Sequence, residues 1–195
     1  MDYTLYSLIN GLAGKFGALD KIMVFIAQDF PYLFAIALLL LWFKKDTTEK
    51  VMANRKVAIV AMMTMLIALG INHLIAFVYF RPRPYTLHAA HLLVKRSVDP
   101  SFPSDHATFS FALALTILAV NKYFGRVMIV MALLLSFARV FVGVHYPLDV
   151  VGGAIIAYAT YKVIQRFPKC FDYITTFMLK IWDMIVFKIQ DLREK

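Results

Sequence analysis

The sequence predicts an all-α integral membrane protein, a bundle of about five transmembrane helices with an amphipathic helix at each end. Of the 195 residues, 61% are hydrophobic, and the charged residues are gathered in short clusters between long apolar runs. This pattern is typical of membrane-spanning segments. One crossing of the bilayer core needs about 20 helical residues. We therefore expect a single membrane-embedded domain over residues 1–195, with its core at about 55–165.

Apolar runs bounded by charged residues predict five spans. The third and fifth are short for a crossing, so we expect them to continue into flanking residues such as 121–124. The predicted spans are Ile22–Phe43, Val57–Phe80, His106–Val120, Val127–Val144 and Val150–Ile164.

Both ends of the chain are predicted to form amphipathic helices that lie in the membrane interface. In residues 171–192 apolar side chains recur at helical spacing, while Lys180, Asp183 and Lys188 interrupt the apolar run. That pattern is typical of a surface-lying helix, and a sixth crossing is the alternative. Residues 3–17 are predicted to form a shorter helix of the same kind, although three glycines weaken its helical propensity.

The formal charge of +9 would indicate nucleic-acid binding in a soluble protein. This sequence offers no basic, aromatic-bearing soluble surface, so we expect no nucleic-acid partner and assign the charge to loops beside anionic membrane lipid. Cys170 is the only cysteine, which excludes an intramolecular disulfide.

The distribution of Lys and Arg predicts the orientation. If the loop at 44–56 is cytoplasmic, fourteen basic residues lie inside and six outside, and the N-terminus lies outside. Four of the outer six, Arg81, Arg83, Lys95 and Arg96, fall in one outer loop. They therefore call for a functional explanation.

Five alternating spans place several polar residues at one outer face. Taken singly, these residues have structural explanations, since Ser and Asp often cap helices and proline suits the first helical position. An arginine inside an apolar span is costly and usually serves a site. Their convergence predicts a functional pocket formed by Arg83, Ser104, His106, Arg139, His145 and Asp149.

This set of side chains suits phosphoryl transfer. Guanidinium groups, a hydroxyl and helix N-terminal amides match the charge on the phosphoryl oxygens. One histidine can attack phosphorus if an acid orients it, and His145 with Asp149 four residues on fits that pair. A second histidine, His106, can protonate the departing oxygen. We expect no metal and no cofactor.

Three motifs resemble those of the type 2 phosphatidic acid phosphatase superfamily, over about residues 55–165. They read "AFVYFRPRP", "PSDH" and "ARVFVGVHYPLD", and the third is the most specific. The resemblance implies that His145 is the nucleophile of a phosphohistidine intermediate and that Asp149 orients it. It also implies that His106 serves as acid and later helps to activate water. The phosphate would be held by Arg83, Ser104 and Arg139.

Three positions depart from the family pattern: Ala76 stands for lysine, Asp105 for glycine and Ala138 for serine. The missing lysine removes a phosphate contact, for which Arg81, or a loop residue such as Lys95 or Arg96, is the candidate replacement. Asp105 adds negative charge beside an anionic substrate. We therefore expect Asp105 to bind His106, a basic residue or a bridging cation, as a residue behind the site.

Helix geometry leaves one tension in this site. Six residues at about 100° each separate Arg139 from His145 by roughly 120° around an ideal helix. The two meet only if the length of the arginine or an irregularity near Gly143 compensates.

The "PSDH" motif, the length and the missing lysine resemble bacterial undecaprenyl-diphosphate phosphatases of the bacitracin-resistance type. This resemblance implies hydrolysis of undecaprenyl diphosphate to undecaprenyl phosphate at the outer face of the bacterial inner membrane, which recycles the cell-wall carrier lipid. The expected partners are the isoprenoid diphosphate and membrane lipids; the oligomeric state stays open.

Three alternatives remain at this point. The same machinery suits a phosphatidylglycerophosphate or phosphatidate phosphatase. A transporter is the non-enzyme alternative, because Asn72 and His73 lie inside the second span. His88 and His91 have zinc-like spacing but no further ligand nearby.

Overall fold

The computed structural model describes residues 1–193 and confirms the all-helical class. In this part of the chain it has eight helices, numbered in chain order. They are α1 (Asp2–Asn10), α2 (Gly17–Phe43), α3 (Thr48–Val78), α4 (Pro84–Leu87), α5 (Asp105–Val120), α6 (Lys122–Phe141), α7 (Pro147–Arg166) and α8 (Pro168–Arg193).

The five predicted spans correspond to five of these helices, so the protein is a multi-pass membrane protein. Helices α2, α3, α6 and α7 are long and apolar enough to cross a membrane, and α5 is a shorter apolar helix of 16 residues. Helix α5 packs against α2, α3, α6 and α7. Eight of its residues are buried, because neighbouring helices rather than lipid surround it.

Several helix ends differ from the prediction. Helix α3 begins at Thr48, well before Val57, because the polar residues there give no hydropathy signal yet continue the helix. The expected extension of the third span beyond Val120 is wrong. The side chain of Asn121 accepts a hydrogen bond from the backbone nitrogen of Phe124 at 3.0 Å and caps α6.

The seventh helix begins and ends beyond the predicted limits. Pro147 occupies its first turn and Arg166 its end, so this span is lengthened on both sides as expected. A proline at that position loses nothing, since the first helical amides have no partner within the helix.

The predicted N-terminal helix over 3–17 is wrong in its length. Helix α1 ends at Asn10, and Gly14 has a φ of +80°, a conformation that favours glycine and does not continue a helix. Asn10 then joins α1 to the end of α6 and to the loop before α5. Its Nδ2 donates to the carbonyl oxygens of Phe141 at 2.8 Å and His91 at 2.9 Å.

The C-terminal helix α8 packs against α3 and α7 through one face. Leu179 is buried there, and the ring of Trp182 lies 5.1 Å from that of Trp42, centroid to centroid. Helix α8 is not among the helices apolar enough to span the membrane in the described part of the chain. The predicted helix over residues 171–192 falls within α8, and its position in the membrane interface stays a prediction.

A close approach of α5 and α7 sets the position of the site. A Cβ atom added to Gly153 would lie 2.7 Å from the carbonyl oxygen of Ser104, so only glycine allows this spacing without a shift. The backbone nitrogen of Ser104 donates to the carbonyl oxygen of Asp149 at 3.0 Å. The second and third motifs are therefore joined directly.

Candidate active site

His145 lies in the short connection between α6 and α7. Helix α6 ends at Phe141, and Gly143 follows with a φ of +89°. The backbone therefore leaves the helical path before His145. This irregularity removes the 120° separation from Arg139 that a continuous helix would impose.

The hydrogen bonds of His145 define its tautomer. The side chain is buried, and Nδ1 lies 2.8 Å from the carbonyl oxygen of Ser101. A carbonyl oxygen only accepts, so Nδ1 carries the hydrogen and Nε2 carries the lone pair. Nε2 lies 3.4 Å from Nη1 of Arg83. The nitrogen with the lone pair is thus the one beside Arg83, a predicted phosphate ligand.

The surroundings of His145 keep it neutral. Burial lowers its pKa to about 4, and the charges of Arg139 and Arg83 act in the same direction. The carboxylate of Asp149 opposes this shift. At neutral pH the imidazole is therefore uncharged, which is the nucleophilic form.

Asp149 was expected to orient His145 directly. Its Oδ2 lies 3.7 Å from Nδ1 of His145, which is too long for a hydrogen bond. Oδ2 accepts instead from Oγ of Ser101 at 2.5 Å and from the backbone nitrogen of Tyr146 at 2.7 Å. Asp149 therefore holds His145 through Ser101, whose carbonyl oxygen is the direct partner.

Arg83 is fixed from behind. Its Nε and Nη2 donate to the carbonyl oxygen and the carboxylate of Asp99, at 3.1 and 2.7 Å, and Nη1 donates to the carbonyl oxygen of Val144 at 2.9 Å. Arg83 is buried. These contacts hold Nη1 at the face of His145, where the predicted phosphate would bind.

Two buried donors at the site have no partner within the described residues. Ser104 is the N-cap residue of α5, yet its side chain makes no cap hydrogen bond, and its Oγ is buried without a partner. Nε of Arg139 is also buried and unpartnered. Buried polar groups are normally hydrogen-bonded, so these donors indicate a place for an anion.

His106 lies in the first turn of α5. Its ring packs against Phe109, with 5.6 Å between centroids, and it lies close enough to Arg83, Arg139 and His145 to be influenced by their charges. The structure therefore brings both histidines of the motifs to one place. The role of His106 as acid stays a prediction.

Asp105 has a neutral partner that the sequence analysis did not predict. Its Oδ1 accepts from Nδ2 of Asn72 at 2.8 Å, and the same nitrogen lies 2.8 Å from Oγ1 of Thr108. Helix α5 thus binds the amide nitrogen of Asn72, while Oδ1 of Asn72 is buried without a partner among the described residues. Asn72 and His73 are the two polar residues of α3 on which the transporter alternative depended, and the contact with α5 gives the first of them a structural role.

Arg81, predicted as a phosphate ligand, is paired with two carboxylates. Nη1 lies 2.6 Å from Oδ1 of Asp149, and Nη2 lies 2.5 Å from Oδ2 of Asp2. Its guanidinium also lies over the ring of Tyr146, 4.2 Å from the centroid. The contacts in the structure thus place Arg81 behind Asp149; a phosphate contact by Arg81 stays untested.

Sequence reasoning missed three residues that hold the site. Ser101 acts through its carbonyl oxygen, which no motif reveals. Asp99 lies shortly before the second motif. It is an acidic residue in a loop that also carries Lys95 and Arg96, and this contrast of charge could have indicated its pairing with Arg83. Asp2 reaches Leu148 across 146 residues of sequence, so no local pattern indicated its contact.

A cavity of about 500 Å³ in the loop region between α3 and α5 adjoins the site. Arg83 and Asp99 form part of its wall, and Arg96 forms another part. The guanidinium of Arg96 lies over Tyr85, 5.8 Å from the ring centroid. The hydroxyl of Tyr85 donates to the carbonyl oxygen of Ser97 at 2.5 Å and accepts from its backbone nitrogen at 2.8 Å, which anchors the loop that carries Arg96.

Within the part of the chain that the structure describes, no group of three or more His, Cys, Asp or Glu side chains is placed to hold a metal ion. The ring of His88 packs against that of Tyr3 in a tilted arrangement, with 4.0 Å between centroids. The metal-free mechanism stays a prediction that chelation can test.

Comparison with known sequences agrees with the motifs. The sequence model of the PAP2 superfamily matches residues 56–170. The chain is also similar to undecaprenyl-diphosphatase BcrC of Bacillus subtilis, with 34% identity over 189 residues that cover 97% of this chain and 95% of the relative.

Two solved structures share the fold. LpxE of Aquifex aeolicus has a TM-score of 0.64 and 24% identity, over 85% of this chain and 94% of that chain. A transmembrane PAP2-type phosphatidylglycerolphosphate phosphatase from Bacillus subtilis has a TM-score of 0.60 and 19% identity, over 86% of each chain. At these identities the likeness concerns the fold alone.

Proposed function

The chain belongs to the PAP2 superfamily, and we propose that this membrane-embedded phosphatase hydrolyses undecaprenyl diphosphate to undecaprenyl phosphate and inorganic phosphate. The mechanism rests on the protonation and hydrogen bonding of His145. This side chain is buried and neutral, Nδ1 donates to Ser101, and Nε2 faces Arg83.

In the first step, Nε2 of His145 attacks the terminal phosphorus. A nitrogen–phosphorus bond forms, and the bond between phosphorus and the bridging oxygen breaks. Protonated His106 gives its proton to that oxygen, so the lipid leaves as undecaprenyl phosphate. Arg83, Arg139 and Ser104 stabilise the charge on the transferring group.

In the second step, water attacks the phosphohistidine. His106, now neutral, takes a proton from the water as the oxygen–phosphorus bond forms and the nitrogen–phosphorus bond breaks. Inorganic phosphate leaves, and both histidines return to their starting forms. The residues that hold phosphate in the first step hold it again here.

The unpaired donors support the phosphate-binding roles. Arg83 is paired with Asp99. Within the part of the chain that the structure describes, Nε of Arg139 and Oγ of Ser104 are buried without a partner. A phosphoryl group supplies the acceptors that both lack. Bound phosphate therefore removes the cost of leaving these groups unsatisfied.

Two observations favour a lipid diphosphate over a phosphomonoester. The cavity beside the site places Arg96 on a wall shared with Arg83, so a second phosphate has a cation available beyond the catalytic group. The relative that matches nearly the whole chain is named an undecaprenyl-diphosphatase. Arg96 is also our candidate to replace the family lysine absent at Ala76.

We place the site at the outer face of the bacterial inner membrane. The distribution of basic residues supports this orientation, since fourteen lie on the side of the 44–56 loop and six on the side of the site. In this orientation the isoprenoid tail stays in the bilayer while the diphosphate enters the site at the rim.

A glycerolipid phosphatase is the second candidate. The solved Bacillus subtilis phosphatidylglycerolphosphate phosphatase has the same fold, and apolar tail contacts discriminate weakly between lipids. The head group and its charge must therefore decide the substrate.

Phosphate release by the purified protein tests the proposal. Undecaprenyl diphosphate, phosphatidylglycerophosphate and phosphatidate are compared in detergent with a chelator present, and His145→Ala and His106→Ala serve as inactive controls. We expect hydrolysis with clear preference for the diphosphate and near-complete loss in both variants. Preference for a glycerolipid would reassign the substrate, and a strict requirement for a divalent ion would overturn the metal-free mechanism.

A further inference from the structure

Helix α1 contributes a carboxylate to the rear of the active site. Oδ2 of Asp2 pairs with Nη2 of Arg81 at 2.5 Å, and Oδ1 accepts from the backbone nitrogen of Leu148 at 3.0 Å. Asp2 therefore joins the loop after α3 to the first turn of α7. Helix α1 lies outside residues 56–170, which the superfamily model matches.

The contacts continue from Arg81 to the nucleophile without a gap. Nη1 of Arg81 binds Oδ1 of fully buried Asp149 at 2.6 Å. The other oxygen of Asp149 accepts from Oγ of Ser101 at 2.5 Å, and the carbonyl oxygen of Ser101 accepts from His145 at 2.8 Å. Each contact between residues is a hydrogen bond or an ion pair, and within Ser101 the covalent bonds of the residue join its Oγ to its carbonyl group.

We propose that Asp2 and Arg81 are positioning residues. Together with Asp149 they form a row of alternating charges behind His145. This row orients His145 and balances the positive charge that the imidazole gains as it attacks phosphorus. This inference rests on the proposed function. It also assigns Arg81 to the support of the nucleophile instead of to the phosphate.

The order of charges predicts opposite effects for the two outer members. Loss of the Asp2 charge leaves Arg81 acting on Asp149 alone, so the surroundings of His145 become more positive and its imidazolium less stable. Loss of the Arg81 charge makes the surroundings more negative and also frees the carboxylate of Asp149. The charged or titratable groups that act directly on His145 are Asp149, Arg83, Arg139 and His106. Behind Asp149 lie Arg81, which pairs with it and with Asp2, and Tyr146, whose ring lies under the Arg81 guanidinium.

The test compares Asp2→Asn, Arg81→Gln and the double variant, purified with a carboxyl-terminal tag and assayed on undecaprenyl diphosphate from acid to neutral pH. We expect kcat to fall about fivefold in Asp2→Asn and about 50-fold in Arg81→Gln, with KM nearly unchanged. The acid limb of kcat/KM should move to lower pH in Asp2→Asn and to higher pH in Arg81→Gln. The double variant should lie between them.

Two control variants remove the same charges elsewhere on this face. Asp20→Asn removes a carboxylate that binds only the backbone nitrogen of Gly14 among the contacts described, and Lys15→Gln removes an exposed cation. Both should match the unaltered protein in kcat and in pH profile.

The inference would be overturned if the acid limb moved in the same direction in both single variants. It would also be overturned if the pH profiles of both variants equalled those of the controls. If Arg81→Gln does not fold, Asp2→Asn still decides, because its amide oxygen can accept from Leu148 while the charge is gone. The unaltered protein separates the two claims. Its failure to hydrolyse the lipid would remove the proposed function, and this inference with it.

Discussion

Nδ1 of His145 donates a hydrogen bond to the carbonyl oxygen of Ser101, 2.8 Å away. This contact fixes the tautomer and leaves the lone pair on Nε2, the nitrogen beside Nη1 of Arg83. The oxygen of a backbone carbonyl cannot be removed by a side-chain substitution, so the orientation of the nucleophile is built into the chain path before the second motif.

The free hydroxyl of Ser104 predicts a variant that separates activity from stability. Ser104→Ala should lower kcat/KM about 100-fold, because one donor to the transferring phosphoryl group is lost. Its melting temperature should stay the same or rise, since the buried Oγ has no partner to lose among the residues that the structure describes. Thr108→Ala is the matched control, because the Thr108 hydroxyl already donates to the carbonyl oxygen of Ser104. If Ser104→Ala lowered the melting temperature as much as Thr108→Ala does, the phosphate-binding role of Ser104 would be contradicted.

Arg139→Lys tests the guanidinium in α6. A lysine keeps the charge but cannot offer the planar pair of donors that binds two phosphoryl oxygens, so we expect kcat to fall about 100-fold. Turnover on undecaprenyl diphosphate measures this. An unchanged rate would show that Arg139 does not contact the reacting group.

Arg96 should discriminate between substrates. Arg96→Gln is expected to lower kcat/KM about tenfold for undecaprenyl diphosphate and to leave hydrolysis of phosphatidate nearly unchanged, since only the diphosphate carries a second phosphate for this cation. Lys95→Gln is the control, because it removes the neighbouring charge without lining the cavity. Equal losses on both lipids, or equal losses in both variants, would remove Arg96 from the second phosphate.

The neutral state of His145 predicts a dependence of stability on pH. Its folded pKa of about 4 lies below the ordinary value of 6.5. Between these values the unfolded chain binds a proton that the folded protein does not, so the free energy of unfolding contributed by His145 falls as the pH drops from about 6.5 to about 4. Melting temperatures over this range should show a smaller fall in His145→Gln than in the unaltered protein. His91→Gln, which changes an exposed histidine, should keep the full fall.

The sequence allowed the predicted site to be assembled because its residues stand at the ends of alternating spans. Apolar runs gave the direction of each span, and direction alone brings the end of α3 to the start of α5. Arg83, Ser104 and His145 meet for that reason. The helix ends were less predictable, since Thr48 begins α3 within a polar segment that hydropathy does not detect.

The supporting contacts were beyond prediction for physical reasons. The partner of His145 is a backbone carbonyl, which every residue carries, so Ser101 has no distinguishing signal. Asp105 was expected to meet a positive charge, and only the packing of α3 on α5 shows its amide partner, Asn72. The pairing of Arg81 with Asp2 depends on where α1 lies, which a short amphipathic pattern does not specify.

Trapping the phosphorylated enzyme shows directly whether Nε2 of His145 becomes covalently phosphorylated. The protein is mixed with undecaprenyl diphosphate labelled in its terminal phosphate, quenched in alkaline detergent within milliseconds, and the labelled residue is identified by mass spectrometry. We predict an alkali-stable, acid-labile label on His145 that is absent from His145→Ala. Label on another residue, or phosphate release by His145→Ala at a rate near that of the unaltered protein, would contradict the account.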